Sequence, residues 1–219
     1  MPFGSASDAP LTLSRVIGGI ADKIALLRVW RDGEEYRGTG YAVSGDGLIA
    51  TCLHQVADAD RIEARFVGRG FSEAQLVESD ASADMALLRV RRHHPPKGLE
   101  LDGADAGVGV EVAFVGFPFS TLFDPPLVMT MRGIIGNRYG GQYVIDAMMS
   151  EGMSGSPLFL TSNGRVVGTM SARLDPVLTE ARLLGVDEGE LRKLGRERTT
   201  ISFAIPSPAL RALVSAYRK

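Results

Sequence analysis

Short apolar runs recur along this chain of 219 residues, and their recurrence is the feature that most constrains its fold. Runs such as 24–30, 48–53 and 85–90 alternate with turns rich in glycine and aspartate. Little helical periodicity separates them, so the pattern predicts an all-β barrel or sandwich. The polar segment 91–108 divides the runs into two similar β halves.

Three segments depart from this β pattern. Apolar residues over 13–20 have the helical spacing i, i+3, i+4, i+7 and predict a short N-terminal helix. Ser207 and Pro208 open a C-terminal helix. Residues 174–199 carry many charges and predict a helical insertion, which would be an exposed excursion or a lid over a cleft.

Composition excludes several classes of protein. The net charge of −2 gives no electrostatic footprint for nucleic acid. No apolar stretch approaches the roughly 18 residues that a membrane helix needs. Cys52 is the only cysteine, so no intrachain disulfide can form. A signal peptide begins with basic residues, but here no basic residue precedes Arg15. We therefore expect a cytoplasmic protein. We also expect neither a cofactor nor a metal.

A serine held between two glycines, Gly152-Met153-Ser154-Gly155, precedes an apolar strand. Glycine lets the backbone adopt positive φ and approach other atoms closely. Such a turn can direct a hydroxyl and nearby N–H groups at one point, as acyl transfer requires. The motif alone is typical of many ordinary turns, but it makes Ser154 a candidate nucleophile.

A nucleophilic serine needs a base, and the chain has three histidines. Those at 93–94 lie in the proline-rich segment, where a solvated loop is the simpler interpretation. His54 follows an apolar run at a strand end and is the candidate base. No histidine follows Ser154, which excludes the α/β-hydrolase order of serine, acid and histidine.

An acid between His54 and Ser154 would complete the order histidine, aspartate, serine. Asp84 opens the apolar run 84–88, where a carboxylate is costly unless another group pairs with it. Asp80 is the local rival, but it precedes a polar stretch. Asp84 is therefore the preferred acid.

Taken together, these motifs resemble a trypsin-fold serine protease of the HtrA/Deg type over about residues 24–214. The resemblance implies two six-stranded antiparallel β-barrels, 11–100 and 101–219, with the site in the cleft between them. The motifs that carry it are G-T-G-Y at 38–41, G-L-I-A-T-C-L-H at 47–54, D-M-A-L-L at 84–88, V-G-F-P-F at 115–119, D-A followed by G-M-S-G over 146–155, V-V-G at 166–168 and I-S-F-A-I-P at 201–206.

By this resemblance, each site residue acquires a role. His54 would be the general base, Asp84 its orienting acid and Ser154 the nucleophile. The backbone N–H groups of Gly152 and Ser154 would form the oxyanion hole. Ser171 would help to hold Asp84.

The resemblance also implies a substrate pocket. Met148 stands where trypsin-like enzymes carry the acid that selects arginine or lysine, so that specificity is not expected. Met149, Ser171 and Ala172 would line a pocket for an apolar side chain, although the methionines could equally be core. Arg173 offers the alternative of selecting an acidic residue.

We therefore expect a serine endopeptidase that acts on protein or peptide substrates and lacks the PDZ domain typical of HtrA proteins. Met153 and Ser156 depart from the family pattern beside the oxyanion turn. This departure keeps open a latent protease that an activating protein partner switches on through 174–199. The other alternative is a catalytically silent pseudo-protease that binds peptide by strand addition.

Overall fold

The computed structural model describes residues 12–91, 95–173 and 200–219, with the backbone alone at residue 173. Within these ranges the chain is built mainly of strands, with few helices. The strands are β1 (Ile24–Arg31), β2 (Glu34–Ala42), β3 (Leu48–Cys52), β4 (Arg61–Phe66), β5 (Ser72–Asp80), β6 (Met85–Val90), β7 (Glu111–Gly116), β8 (Met129–Tyr139), β9 (Gln142–Asp146), β10 (Pro157–Leu160), β11 (Val166–Arg173) and β12 (Ile201–Pro206), and the helices are α1 (Leu13–Ile20), α2 (Leu53–Val56) and α3 (Ser207–Tyr217).

The strands close into two antiparallel barrels of six strands each. The first has the order β1-β2-β3-β6-β5-β4, and β1 closes it by pairing with both β2 and β4. The second has the order β10-β11-β12-β9-β8-β7, and β10 closes it by pairing with β11 and β7. A closed sheet leaves no unpaired edge. The predicted fold class of two six-stranded antiparallel barrels is confirmed.

The two barrels share an apolar core. Strands β3 and β6 are buried along almost their whole length, because one face fills their own barrel and the other contacts the second barrel. Tyr41 of β2 lies in this shared core, and its hydroxyl forms a hydrogen bond of 2.8 Å with Thr169 of β11. Strands that are buried on both faces lose the apolar–polar alternation. This explains why the sequence shows them as continuous apolar runs.

Helices α1 and α3 pack on the shared core from outside. Val16 and Ile20 of α1 and Leu210 and Leu213 of α3 are buried in it. Both predicted terminal helices are present, whereas the helical insertion expected over 174–199 lies outside the described residues. No helix in the described ranges is long and apolar enough to cross a membrane.

Candidate active site

Asp84 occupies the turn between β5 and β6, with a left-handed φ of 52°. Its Oδ1 accepts the backbone N–H of His54 at 2.9 Å, and its Oδ2 lies 2.7 Å from the Nδ1 atom of the same residue. The hydroxyl of Ser171 also donates to Oδ2, at 2.9 Å. The carboxylate is therefore held by groups from both barrels, since His54 belongs to the first and Ser171 to the second.

This network keeps the Asp84 carboxyl ionised. Burial favours its neutral form, but hydrogen bonds from the His54 side chain and backbone and from Ser171 outweigh burial and lower the pKa of Asp84. An ionised carboxylate can only accept hydrogen bonds, so the proton of the 2.7 Å contact resides on Nδ1 of His54. The other ring nitrogen, Nε2, is then free to accept a proton, which is the tautomer that a general base needs.

His54 lies on the short helix α2, directly after β3, and its side chain is 49% exposed. The helix is tied to the Asp84 turn a second time, because the N–H of Leu53 donates to the carbonyl oxygen of Asp84 at 3.0 Å. The imidazole is thus fixed at one edge and open to solvent at the other. A substrate can reach the open edge.

Ser154 lies in a tight turn over 150–156 that requires glycine on both sides of the serine. Gly152 has φ of 89° and Gly155 has φ of 82°, where a Cβ is strained. A Cβ on Gly152 would overlap the carbonyl oxygen of Phe117, and one on Gly155 would overlap that of Thr39. The turn is therefore wedged between the two barrels.

The Ser154 hydroxyl donates to the backbone carbonyl of Ser171 at 2.8 Å. Within the described residues, no hydrogen bond joins Ser154 to His54, although both line one cavity of about 230 Å³. Rotation about the Cα–Cβ bond of a serine moves its Oγ between staggered positions without moving the backbone. The structure thus brings the three predicted residues to one site, with the serine hydroxyl turned toward Ser171.

The backbone N–H groups of Gly152 and Ser154 donate to no protein acceptor in the described part of the chain. By contrast, the adjacent N–H of Gly155 donates to the carbonyl of Met170 at 2.7 Å. Gly152 and Ser154 both line the cavity with His54. Free N–H groups beside a nucleophile can stabilise the negative oxygen that develops during acyl transfer.

The residues expected to line the substrate pocket differ in their exposure to solvent. Met148 is 42% exposed, whereas Met149 is 4% exposed and packs in the core of the second barrel. Ser171 is buried, its hydroxyl donates to Asp84, and its carbonyl oxygen accepts from the Ser154 hydroxyl. Ala172 is exposed on β11, and the side chain of Arg173 lies outside the described residues.

Thr39 of β2 holds the serine turn in place, a role that the sequence did not predict. Its buried Oγ1 donates to the carbonyl of Gly152 at 2.7 Å and accepts the N–H of Phe117 at 3.1 Å. Its own N–H donates to the carbonyl of Ser154 at 3.2 Å. The only sequence signal was its position between two glycines, and that signal does not reveal a partner so distant in the chain.

Cys52, His54 and Asp84 have ligand atoms within 4.8 Å of one another, a donor set of the kind that zinc accepts. The Cys52 thiol, however, is buried and donates to the carbonyl of Met170 at 3.2 Å. Burial and the nearby charge of Asp84 raise the pKa of this thiol well above its ordinary value. Because metals bind the thiolate, the cluster is poorly suited to zinc.

We expect the Cys52 thiol of the folded protein to resist alkylation by iodoacetamide at about pH 8, because it is buried and held protonated. Mass spectrometry should find the chain unmodified until guanidinium chloride unfolds it, and then alkylated once. Cys52→Ser provides the blank in both conditions. Rapid alkylation of the folded wild type would contradict the burial of this side chain.

Two closed β-barrels, with a histidine, an aspartate and a serine brought together where they meet, define the class of trypsin-like folds. The chain belongs to the trypsin-like peptidase domain family, whose profile matches residues 38–168. The matched range contains His54, Asp84 and Ser154.

Curated relatives of the Deg type support the same assignment. The chain is 35% identical over 139 residues to a probable periplasmic serine endoprotease DegP-like of Pseudomonas putida (strain W619), covering 61% of this chain and 28% of that protein. It is 28% identical over 195 residues to a protein of the same name from Rickettsia conorii, covering 83% of this chain and 34% of that protein. The chain therefore spans about a third or less of these relatives.

Solved structures show the same fold. The serine endoprotease from Yersinia pestis superposes with a TM-score of 0.74 at 21% identity, covering 96% of this chain and 68% of that one. An HtrA-type protease, AlgW S227A with a tripeptide, superposes with a TM-score of 0.73 at 22% identity, covering 94% of this chain and 63% of that one. The predicted resemblance to the HtrA/Deg type is confirmed.

Proposed function

We propose that this chain is a serine endopeptidase that cleaves protein or peptide substrates through an acyl-enzyme. The observation that carries the proposal is the hydrogen-bonded pair of Asp84 and His54, which shares one cavity with Ser154. Membership of the trypsin-like peptidase family and the names of the Deg-type relatives agree with it.

In the proposed reaction, the Ser154 hydroxyl turns from Ser171 toward His54 and attacks the carbonyl carbon of the scissile bond. His54 Nε2 takes the hydroxyl proton and then gives it to the leaving amine. Ionised Asp84 stabilises the imidazolium that forms. The N–H groups of Gly152 and Ser154 donate to the oxyanion, and water later releases the acyl group.

The acyl side of the substrate is proposed to carry an apolar residue at the scissile bond. Exposed Met148 supports this preference, because a methionine offers an adaptable apolar surface and no charge to select arginine or lysine. Ala172 adds a small exposed side chain. The alternative, selection of an acidic residue, would depend on Arg173.

A latent protease is the second candidate function, and one observation favours it. The Ser154 hydroxyl donates its hydrogen bond to the Ser171 carbonyl at 2.8 Å, so it does not donate to its proposed base, His54. A partner that binds 174–199 could favour the engaged arrangement by binding it more tightly than the resting one. In that case the protein would react slowly until substrate or partner binds.

We expect a fluorophosphonate probe to label the wild-type protein and to leave Ser154→Ala unlabelled, because the probe reacts with an activated serine and reports its oxyanion hole. Labelling is measured by in-gel fluorescence and located by peptide mass spectrometry. The latent form predicts slow labelling that accelerates when unfolded casein is added. An unlabelled wild type under both conditions would overturn the endopeptidase proposal and leave the peptide-binding pseudo-protease.

The names of the relatives also bear on compartment. They are called periplasmic endoproteases, so we propose that this chain acts in the periplasm, in place of the cytoplasm expected from its composition. The absence of a cysteine pair is compatible with either compartment, since the fold is held by burial.

A further inference from the structure

The cavity beside His54 contains buried polar atoms that lack partners. Within the described residues, both amide atoms of Gln55 and the Nε atom of Arg31 are buried without a hydrogen bond. Both residues line the cavity of about 230 Å³. A buried polar atom that is left unpaired costs free energy, so each such group calls for a partner.

The surroundings of Gln55 show that its position is built into the fold. A Cβ on Gly38 of β2 would overlap Oε1 of Gln55, so the absence of a side chain at Gly38 makes room for the amide. On the other side, Nε2 would lie 3.2 Å from a Cβ placed on Gly155 of the serine turn. The amide is therefore inserted between β2 and the turn that carries Ser154.

The lining of the cavity favours the leaving-group side of the site over the acyl side. Within the described residues it is lined by His54, by neighbours from β1, β2 and α2, and by Glu151 and Gly152. The described residues of the predicted acyl-side pocket do not line it. During acyl transfer the imidazole gives its proton to the leaving amine, so that amine must lie beside His54.

We propose that Arg31 and Gln55 form a subsite for the residue that follows the scissile bond, and that they select a side chain bearing an oxygen acceptor, a carboxylate or a carboxamide. This inference rests on the proposed endopeptidase function. Arg31 Nε and the NH₂ group of Gln55 are both donors, and the oxygen atoms of a carboxylate or a carboxamide accept from such donors. An apolar side chain there would leave both donors unpaired.

Of the two arginines that line the described part of the cavity, Arg31 is the one without a carboxylate partner. No described carboxylate forms an ion pair with Arg31, and its Nη2 donates to the carbonyl of Ala57 at 2.6 Å. The second arginine of the cavity, Arg37, is paired with Glu35 at 2.7 Å. Glu151 is exposed and opposes a carboxylate more than a carboxamide. The difference in binding between a carboxylate and a carboxamide side chain therefore measures how strongly Glu151 repels the carboxylate.

The subsite can be tested without knowing the natural substrate. p-Nitrophenyl acetate acetylates Ser154, and an added amino acid amide then competes with water for the acetyl group. The amine nitrogen bonds to the carbonyl carbon, the bond from that carbon to Ser154 Oγ breaks, and His54 moves the amine proton to Oγ. The captured product reports binding on the leaving-group side, while release of p-nitrophenolate reports acylation.

We expect the α-amides of aspartic acid and asparagine to be captured about tenfold more efficiently than the isosteric α-amide of leucine, given the strength of hydrogen bonds to charged donors. In Arg31→Gln the preference for the aspartic acid amide should fall to nearly none. Gln55→Leu, a second variant, should lose the preference for the asparagine amide. Arg132→Gln is the matched control, because Arg132 is an exposed arginine of β8 paired with Glu111, and it should keep the wild-type ratios.

The outcomes separate the two proposals. Equal capture of the three amides by the acetylated wild type, or unchanged ratios in both Arg31→Gln and Gln55→Leu, would overturn the subsite and leave the endopeptidase standing. The absence of any p-nitrophenolate release that depends on Ser154, with Ser154→Ala as the blank, would overturn the endopeptidase and the subsite with it.

Discussion

Replacement of Asp84 by asparagine will lower the rate of casein hydrolysis by about ten-thousand-fold relative to wild type, the scale expected when the orienting acid of such a triad is lost. In the wild type, the Asp84 carboxylate accepts a hydrogen bond from the protonated Nδ1 of His54. A carboxamide can instead donate to Nδ1, which shifts the ring proton to Nε2. His54 would then have no free nitrogen to accept the serine proton.

Asp80→Asn is the matched control for this variant. Asp80 also carries a carboxylate near the end of β5, but it accepts hydrogen bonds from Ser82 and Ala83, which an asparagine oxygen can replace. Its hydrolysis rate should stay within about twofold of wild type, as is usual for a surface substitution. Comparable losses in both variants would contradict a special role for Asp84.

The pH dependence of stability gives an independent check on Asp84→Asn. Because the folded state lowers the pKa of Asp84, its ionisation stabilises the native fold above the unfolded pKa of about 3.9. That contribution disappears as the pH falls through the lower folded value. Wild type should therefore lose this part of its free energy of unfolding on acidification, whereas Asp84→Asn has none to lose. Urea titrations at several pH values should show the stability advantage of wild type over the variant becoming smaller as the pH falls.

Replacement of Gly155 by alanine will destabilise the protein by about 3 kcal/mol or more, or prevent folding altogether. The residue has φ of 82°, and a Cβ would overlap the carbonyl oxygen of Thr39 and the hydroxyl of Thr51. Neither atom can move freely, because the Thr51 hydroxyl donates to that same carbonyl at 2.8 Å. Chemical denaturation monitored by circular dichroism measures the loss.

Gly18→Ala is the matched control for Gly155→Ala, because it adds the same methyl group at a position with open space around it. Gly18 lies within α1, and no atom outside the helix lies within 4 Å of a Cβ placed there. Alanine has the higher helix propensity, so this variant should be more stable than wild type by up to about 1 kcal/mol. Wild-type stability in Gly155→Ala would show that the serine turn has more room than the structure gives it.

Local patterns predicted much of the fold. The apolar spacing over 13–20 corresponds to α1, and the continuous apolar runs correspond to β3 and β6. Helix α2 was not predicted, because four residues are too few to establish a helical period. Barrel closure came from the resemblance to a family, since the pairing of β1 with β4 depends on contacts between distant segments.

The candidate site divides in the same way. Residue types, chain order and the motifs around them were enough to select His54, Asp84 and Ser154. They did not indicate that the Ser154 hydroxyl rests on the carbonyl of Ser171, because a backbone acceptor leaves no mark on the sequence. The role of Thr39 was hidden for a related reason, since its bond to Gly152 joins residues 113 positions apart.

By itself, then, the sequence determined which groups could perform the chemistry and where glycine was required, because backbone conformation and strand or helix periodicity depend on near neighbours. The tertiary structure decided how those groups are engaged. It turned Ser154 toward Ser171, and it left the amide atoms of half-buried Gln55 and the Nε atom of half-buried Arg31 buried without a partner among the described residues. Hydrogen-bond partners and burial are set when the two barrels pack together, and no single stretch of sequence encodes that contact.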